Sequence, residues 1–509
     1  MRDARDRRGP LERFLRLFAD VRAGEGATVV LLALNVFLVL SAYYFVKPLR
    51  DALILEGWGA EVKSYSSALQ ALVLLGAVPA YGALAGRLPR RRLIDSVTAI
   101  FVACLVLFFV LGRAGVPVGV VFYVWVGIFN LMIVAQFWSF ANDVYTNREG
   151  ERLFPLVQFG ASAGAVFGSV VVAGLIGPLG IWIPMLIAAG ILLVSLLLTH
   201  AVDRRERSRT ERYRLPTLST ATAPAATGEF RMDTGEFRNL REDLREALER
   251  LEAEERAQKE GLPRPEPEVV VEEPGAGERR AAPEPRWKTS GAFRLVFRTR
   301  YLLMIALIIL LLNWVNTTGE YILGKVVTDA ARDAVARGTA GGLDVAEYIG
   351  AFYGRFFFVV NLAGLLIQLF LVSRIIRWVG IRWAILALPL ISLGAYGLLA
   401  FYPVISAVRW AKTAENATDY SLMNTVRQTL FLPMTREQKY KAKQAIDAFF
   451  WRAGDVLAAA AVFVGTTWLA MGAADFAKLN VVLIIAWVAI CAWVGREYAG
   501  LVRTGRPPS

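Results

Sequence analysis

Apolar residues run along this chain in blocks about as long as a bilayer core is thick, near 27–46, 66–86, 93–113, 117–141, 155–177, 179–200, 301–323, 347–372, 381–401, 404–431, 447–470 and 477–500. A chain built of these blocks must satisfy its backbone inside a membrane, and helices do that segment by segment. The sequence therefore predicts an all-α polytopic membrane protein of about twelve transmembrane helices. At 56% hydrophobic and 20% charged, the composition agrees.

The excess of 57 Lys and Arg over 44 Asp and Glu raises the question of nucleic acid. The basic residues instead follow membrane topology. Arg2, Arg5, Arg7 and Arg8 precede the first span, Arg87, Arg90, Arg91 and Arg92 separate the second from the third, and Arg374, Arg377 and Arg382 separate the eighth from the ninth. Links after the third, fifth and ninth spans carry almost no positive charge, so both termini and the middle segment are expected on the cytoplasmic side of a cell inner membrane. The first block lacks a small-residue cleavage site and reads as a true helix. The partners expected are the lipid bilayer and a solute, not nucleic acid.

Residues 202–296 divide the chain. They are rich in Pro, Glu and Arg and read as a largely disordered cytoplasmic linker. Within them, Leu240, Leu244, Leu248 and Leu251 share one face of a short amphipathic helix. The expected organisation is a cytoplasmic segment 1–26, a six-helix half 27–201, the linker 202–296 and a second six-helix half 297–509. The link "TNREGERLF" after the fourth span resembles "TREQKYKAK" after the tenth, with Arg148 and Glu149 corresponding to Arg436 and Glu437. Two homologous halves about an axis along the membrane normal form a major facilitator-like architecture, with the substrate site between them near the midplane.

Charges inside spans are costly and mark function by default. The tenth span places Arg409, Lys412, Glu415, Asn416, Asp419 and Arg427 on one helical face, a polar stripe expected to line a water-filled path or to form internal salt bridges. The first helix is expected to end in "YYFVKPLRDALILEG", where Pro48 kinks or ends it. Lys47, Arg50 and Asp51 there read either as site residues or as a surface group reaching for water. In the seventh span, Asn313, Asn316, Thr317, Thr318 and Glu320 interrupt the apolar run, and Gly319 offers a point where the backbone can open. The P-loop-like "GEYILGKV" lacks its Ser or Thr and sits in a span, so it is set aside. "NTT" and "NAT" match a glycosylation sequon but also sit in spans. Arg355, Arg452 and Asp455 are candidate partners for Glu320 or Asp419. Gly160, Gly164 and Gly168, four residues apart, predict close helix packing.

No cofactor and no metal site is expected. Cys104 and Cys491 have no ligand spacing, and the single histidine, His200, ends the sixth span as an interfacial residue. The absence of a convergent acid, base or metal set argues against an enzyme. Basic residues outnumber acids on the first and tenth helices, and guanidinium forks match phosphate oxygens, which favours an anionic, phosphorylated solute. Tyr43, Tyr44, Trp138, Trp314 and Tyr420 offer rings for stacking on a base.

Three segments carry a resemblance to the ATP/ADP translocase family, the nucleotide transporters of plastids and intracellular bacteria with their free-living relatives. "YYFVKPLRDALIL" resembles that family's first-helix motif, with Arg50 and Asp51 at its Lys-Asp pair. "FWSFANDVYTNREGERLFPLVQFGASAG" is similar to its "FWGFAN" run and the link after it. "ATDYSLMNTVRQTLFLPMTREQKYKAKQAID" resembles its tenth-helix motif, with Arg427 at the Lys. The resemblance implies exchange of ATP for ADP by alternating access, with charges in the first, fourth, seventh and tenth helices, the seventh matched by Glu320. This chain departs by having no acid in its fourth span, where Asn130 and Gln136 are the polar residues available. The site set expected is Lys47, Arg50, Asp51, Glu320, Lys412, Asn416, Asp419 and Arg427. Alternatives are a proton-coupled carrier of another organic or phosphorylated anion, working through Glu320 or Asp419, and a membrane scaffold built around the linker.

Overall fold

A computed structural model of the chain describes residues 24–145, 147–212, 289–435 and 445–504, with 12, 15, 16, 19–22, 442 and 443 besides. The linker's amphipathic helix, the basic N-terminus and the Arg436–Glu437 link lie outside the described residues.

The chain is helical throughout these segments. In order they are α1 (Gly26–Ala85), α2 (Arg90–Arg113), α3 (Gly119–Val144), α4 (Asn147–Leu179), α5 (Ile183–Arg212), α6 (Thr289–Arg298), α7 (Arg300–Ala336) and α8 (Val345–Leu366). There follow α9 (Val372–Ala384), α10 (Ala387–Leu399), α11 (Ile405–Thr418), α12 (Asn424–Thr429), α13 (Trp451–Trp468) and α14 (Ala473–Thr504). Wide π turns lead α8 into α9, α11 into α12, and the chain into α13.

Nine helical stretches among the described residues are long and apolar enough to cross a membrane. The first is a double crossing. Gly59, at φ 80° and ψ 178°, breaks α1 in a conformation that a Cβ disfavours, and the chain returns from there. Gly380, at φ 71°, likewise separates the eighth span from a ninth that continues through Ala387–Leu399. With α11 and α12 as the tenth, the twelve expected crossings are all present. Their alternation puts both ends of the described chain on one face, called here the terminal face; Gly59 and the start of α8 lie on the far face. At that start Asp344 and Glu347 form a capping box, each carboxylate accepting from the other residue's backbone N–H at 2.7 and 3.0 Å.

Two expectations about the backbone fail. Pro48 neither ends nor opens α1, which stays helical to Trp58; a membrane helix can re-satisfy the carbonyl that a proline frees. Gly319 does not unwind α7. It provides clearance instead, since a Cβ there would stand 1.8 Å from the Tyr396 hydroxyl and 3.0 Å from Lys412 Nζ.

Within the first half, the glycines of α4 do what their spacing predicts. A Cβ on Gly160, Gly164 or Gly168 would lie 2.2–2.6 Å from the carbonyl oxygens of Ala33, Phe37 and Ser41 on α1. Small residues also bring the halves together, with Gly354 of α8 against Ala173 of α4 and Gly350 against Ile176. Deeper, the Asn361 amide donates to Ser169 Oγ at 3.1 Å. Toward the far face, Tyr321 donates to Glu61 at 3.0 Å and the Tyr65 ring meets Phe463. The halves are thus joined from mid-depth to the far face. On the terminal face, the ion pairs Arg90 to Asp143 and His200 to Asp95, at 2.9 and 2.6 Å, stay within the first half.

Candidate functional site

Between the halves lies a cavity of about 260 Å³, walled by both arms of α1 together with α3, α7, α8, the π turn after α11, and α13. Its lining is mostly polar and charged. Lys47, Arg50 and Lys63 come from the first half; Asn316, Glu320, Arg452 and Asp455 come from the second.

The charges form a chain of contacts. Asp51, fully buried, receives Lys63 Nζ at 3.1 Å and the Arg50 guanidinium at 3.2 Å. Lys63 reaches across to Glu320 of the other half at 3.7 Å and to the Tyr353 hydroxyl at 3.2 Å. Glu320 then meets Lys412 at 3.7 Å, and Lys412 meets Glu415 at 2.8 Å and Asn316 Oδ1 at 2.9 Å. Tyr396 donates to Glu415 at 2.9 Å, and the Asn416 amide donates to Glu320 at 3.4 Å. Four cations, Lys47, Arg50, Lys63 and Lys412, therefore accompany three carboxylates, Asp51, Glu320 and Glu415. Arg452 and Asp455 balance each other at 3.4 Å.

The unmatched cation is Lys47. Its ammonium sits over the rings of Phe357, Tyr44 and Tyr43 at 3.9, 5.3 and 5.8 Å, with no carboxylate partner among the described residues. Ring faces stabilise an ammonium far less than an anion does at low dielectric. Arg50 lies over Tyr123, and its Nε is buried with no hydrogen-bond partner. Lys47 is only 9% exposed and Asp51 not at all, so the surface reading of this stretch is corrected: it lies deep between the halves.

The tenth-span stripe does not survive as one face. Lys412, Glu415 and Asn416 are buried behind Glu320, half-buried Arg409 turns to the exposed Trp410, and Asp419 has no ion-pair partner among the described residues. A π turn over Asp419–Met423 inserts about one residue, rotating all that follows by roughly 100°. Arg427 consequently leaves the cavity wall. Its guanidinium lies 4.9 Å from the Trp451 ring centre and donates to Asn424 Oδ1.

Of the other candidates, Arg355 is exposed and pairs with neither Glu320 nor Asp419. Gln136 turns to Ile94 and Thr98 inside the first half, away from the cavity. At the fourth span the wall is supplied by Tyr123 and by Gln70 from α1, whose amide fills the space over Gly127 with its Oε1 unpartnered. Tyr43 and Tyr420 line the cavity, whereas Trp138 belongs to a separate apolar cluster in the first half. Sequence reasoning missed Lys63, Gln70 and Trp451 as site residues. Lys63 lies between the first two apolar blocks and reads as part of a link.

A family model matches over residues 29–414, most of the chain, and the description it carries is the Major Facilitator Superfamily. The chain belongs to this superfamily. As a Major Facilitator protein it is similar to the ADP,ATP carrier protein 2 of Chlamydia pneumoniae, 24% identical over 243 residues, covering 42% of each chain. It is also similar to the ADP,ATP carrier protein 2 of Chlamydia trachomatis serovar D, 26% identical over 283 residues, which cover 50% of this chain and 48% of that one. The chain thus spans about half the length or less of the curated relatives it matches.

Among solved structures, the nucleoside transporter NupG superposes with a TM-score of 0.53 at 10% identity, covering 94% of this chain and 99% of that one. A bacterial homolog of the human lysosomal transporter Spinster, inward-facing and unoccupied, gives 0.51 at 13% identity, with 94% and 98% covered. At such identities the likeness is one of fold. The protein is a multi-pass helical membrane protein of the Major Facilitator type.

Proposed function

We propose that this protein exchanges phosphorylated anions, nucleotides of the ATP and ADP type foremost, across the cell inner membrane by alternating access. The observation that carries the reading is the cation in excess in the central cavity, Lys47, beside an Arg50 whose Nε is buried and unpartnered. A phosphate group supplies the missing charge and an acceptor for the guanidinium together. The partial similarity to two chlamydial ADP,ATP carriers supports the same class of solute. The basic links set the terminal face in the cytoplasm. With the halves joined toward the far face, this reading has the solute enter the cavity from that cytoplasmic side.

The charge chain suggests how occupancy is sensed. Lys63 ties Asp51 of one half to Glu320 of the other. An entering phosphate competes with both carboxylates for that ammonium, which loosens the link between the halves, while Lys412 and Asn416 keep Glu320 from standing alone.

Counterflow in proteoliposomes tests the reading: ADP is loaded inside, labelled ATP is supplied outside, and empty vesicles and Arg50→Gln protein serve as controls. Accumulation is expected to need both internal ADP and Arg50. Equal uptake into empty vesicles would sink exchange, and no uptake by well-folded protein would sink the nucleotide. A second reading, a proton-coupled carrier of another anion, is favoured by Asp419, an acid at a π turn with no ion-pair partner among the described residues. Uptake driven by a pH gradient without internal substrate, and lost in Asp419→Asn, would select it.

A further inference from the structure

Two rings of the cavity wall, those of Tyr420 and Trp451, take no part in the charge chain, and the indole is the larger. Trp451 opens α13 directly after the π turn over Ile446–Phe450, and its indole lines the cavity. Its neighbours spend their rings elsewhere: Phe449 packs on Phe293 and Phe450 on Phe297. Trp451 pairs with no ring among the described residues. Arg427 covers it instead, its guanidinium carbon 4.9 Å from the ring centre, and Arg427 Nε is buried without a partner.

The backbone of Trp451 is anchored. The Asn313 amide of α7 donates to the Trp451 carbonyl at 2.6 Å. Asn313 stands seven residues before Glu320, the residue that meets Lys63, so α7 acts as a ruler between the two places. At the rise of an α-helix, Trp451 is held about 10 Å along α7 from the Lys63 to Glu320 contact, toward the terminal face. That is the scale on which an extended nucleotide separates its base from its outer phosphates.

We propose that the Trp451 indole, backed by the Arg427 guanidinium, is the subsite for a planar heteroaromatic group of the substrate, with the Lys47, Arg50 and Lys63 end of the cavity taking its phosphates. The proposal rests on the phosphorylated-anion reading above and adds what that reading leaves open: the element that distinguishes a nucleotide from a bare polyphosphate, and the direction in which the nucleotide lies. A guanidinium on one face polarises the indole and fixes its rotamer, which leaves a rigid surface for stacking. Stacking on an aromatic ring tolerates different bases, so this subsite selects for a base more than among bases.

The test is calorimetric titration of the purified full-length protein with ATP and, separately, with inorganic tripolyphosphate, in wild type, Trp451→Leu and Trp451→Phe, each checked for its thermal unfolding midpoint. Wild type is expected to bind ATP more tightly than tripolyphosphate. Trp451→Leu should weaken ATP at least about tenfold with tripolyphosphate unchanged, and Trp451→Phe should keep most of the ATP affinity. Wild type that binds both probes equally overturns the subsite and leaves the anion reading standing. The subsite is also overturned if Trp451→Leu, with an unchanged midpoint, leaves ATP unaffected or weakens both probes alike. Wild type that binds neither probe overturns the anion reading and the subsite with it.

Discussion

The first span and the tenth each carry basic residues a few positions apart in an otherwise apolar helix, yet the fold uses them differently. Lys47 and Arg50 stay on one uninterrupted helix and both reach the cavity. Lys412 and Arg427 are separated by a π turn, and neither lines it: one is buried in ion pairs behind Glu320, the other stacks on Trp451. Charge in a span marks a place where something must compensate it, but helix phase decides whether that compensation is protein or solute.

This comparison is sharpest at the residue that joins the halves. Lys63→Met leaves Asp51 buried with Arg50 alone beside it, a loss of about 3–5 kcal/mol for a broken buried pair. Exchange should be abolished and the thermal midpoint should fall. Adding Asp51→Asn should restore much of the midpoint, and a single variant that melts like wild type would show that the pair contributes nothing. Next in size is the contrast between the two spans themselves. Arg50→Gln should weaken nucleotide binding by about ten- to hundredfold, the range of hydrogen bonds to charged groups. Arg427→Gln, off the cavity and acting only through the indole it backs, should cost less, about two- to fivefold, the scale of a cation–π contact. Equal losses would break the distinction and mean that the tenth helix turns Arg427 into the cavity in another state.

Smaller effects probe the scaffold. Gly164→Leu drives a side chain into the Phe37 carbonyl, 2.2 Å from the new Cβ, and should cost about 1–3 kcal/mol in the unfolding midpoint without altering substrate preference. The least change is expected from Arg355→Ala, an exposed position, within about 0.5 kcal/mol. Deleting residues 213–288 should likewise leave counterflow intact; its loss, with a normal midpoint, would favour a scaffold built around that segment.

Hydropathy located the crossings well and misjudged the span that matters most. Between the first two apolar blocks, the first helix is expected to end within residues 43–57 and Lys63 to fall in a link, because a scale prices Lys47, Arg50, Asp51 and Lys63 as lone charges. In the structure those residues extend helix on both sides of Gly59, and three of the four meet one another as ion pairs in the interior. The glycines of α4 were legible because a four-residue spacing is a property of one helix. The stripe on the tenth span was not, because it presumed an α-helical phase that the π turn changes.

The sequence by itself determined what is local or additive. The number of crossings follows from block length, the shared face of both ends from an even count, and the close contact of α4 with α1 from small residues at helical spacing. Only the tertiary structure decided which charges neutralise each other and which are left for a solute. Lys63 meets Glu320 across 257 positions of chain. An ion pair depends on a few ångströms of distance at low dielectric, and that distance is set by how the two halves pack, which no window along the sequence contains.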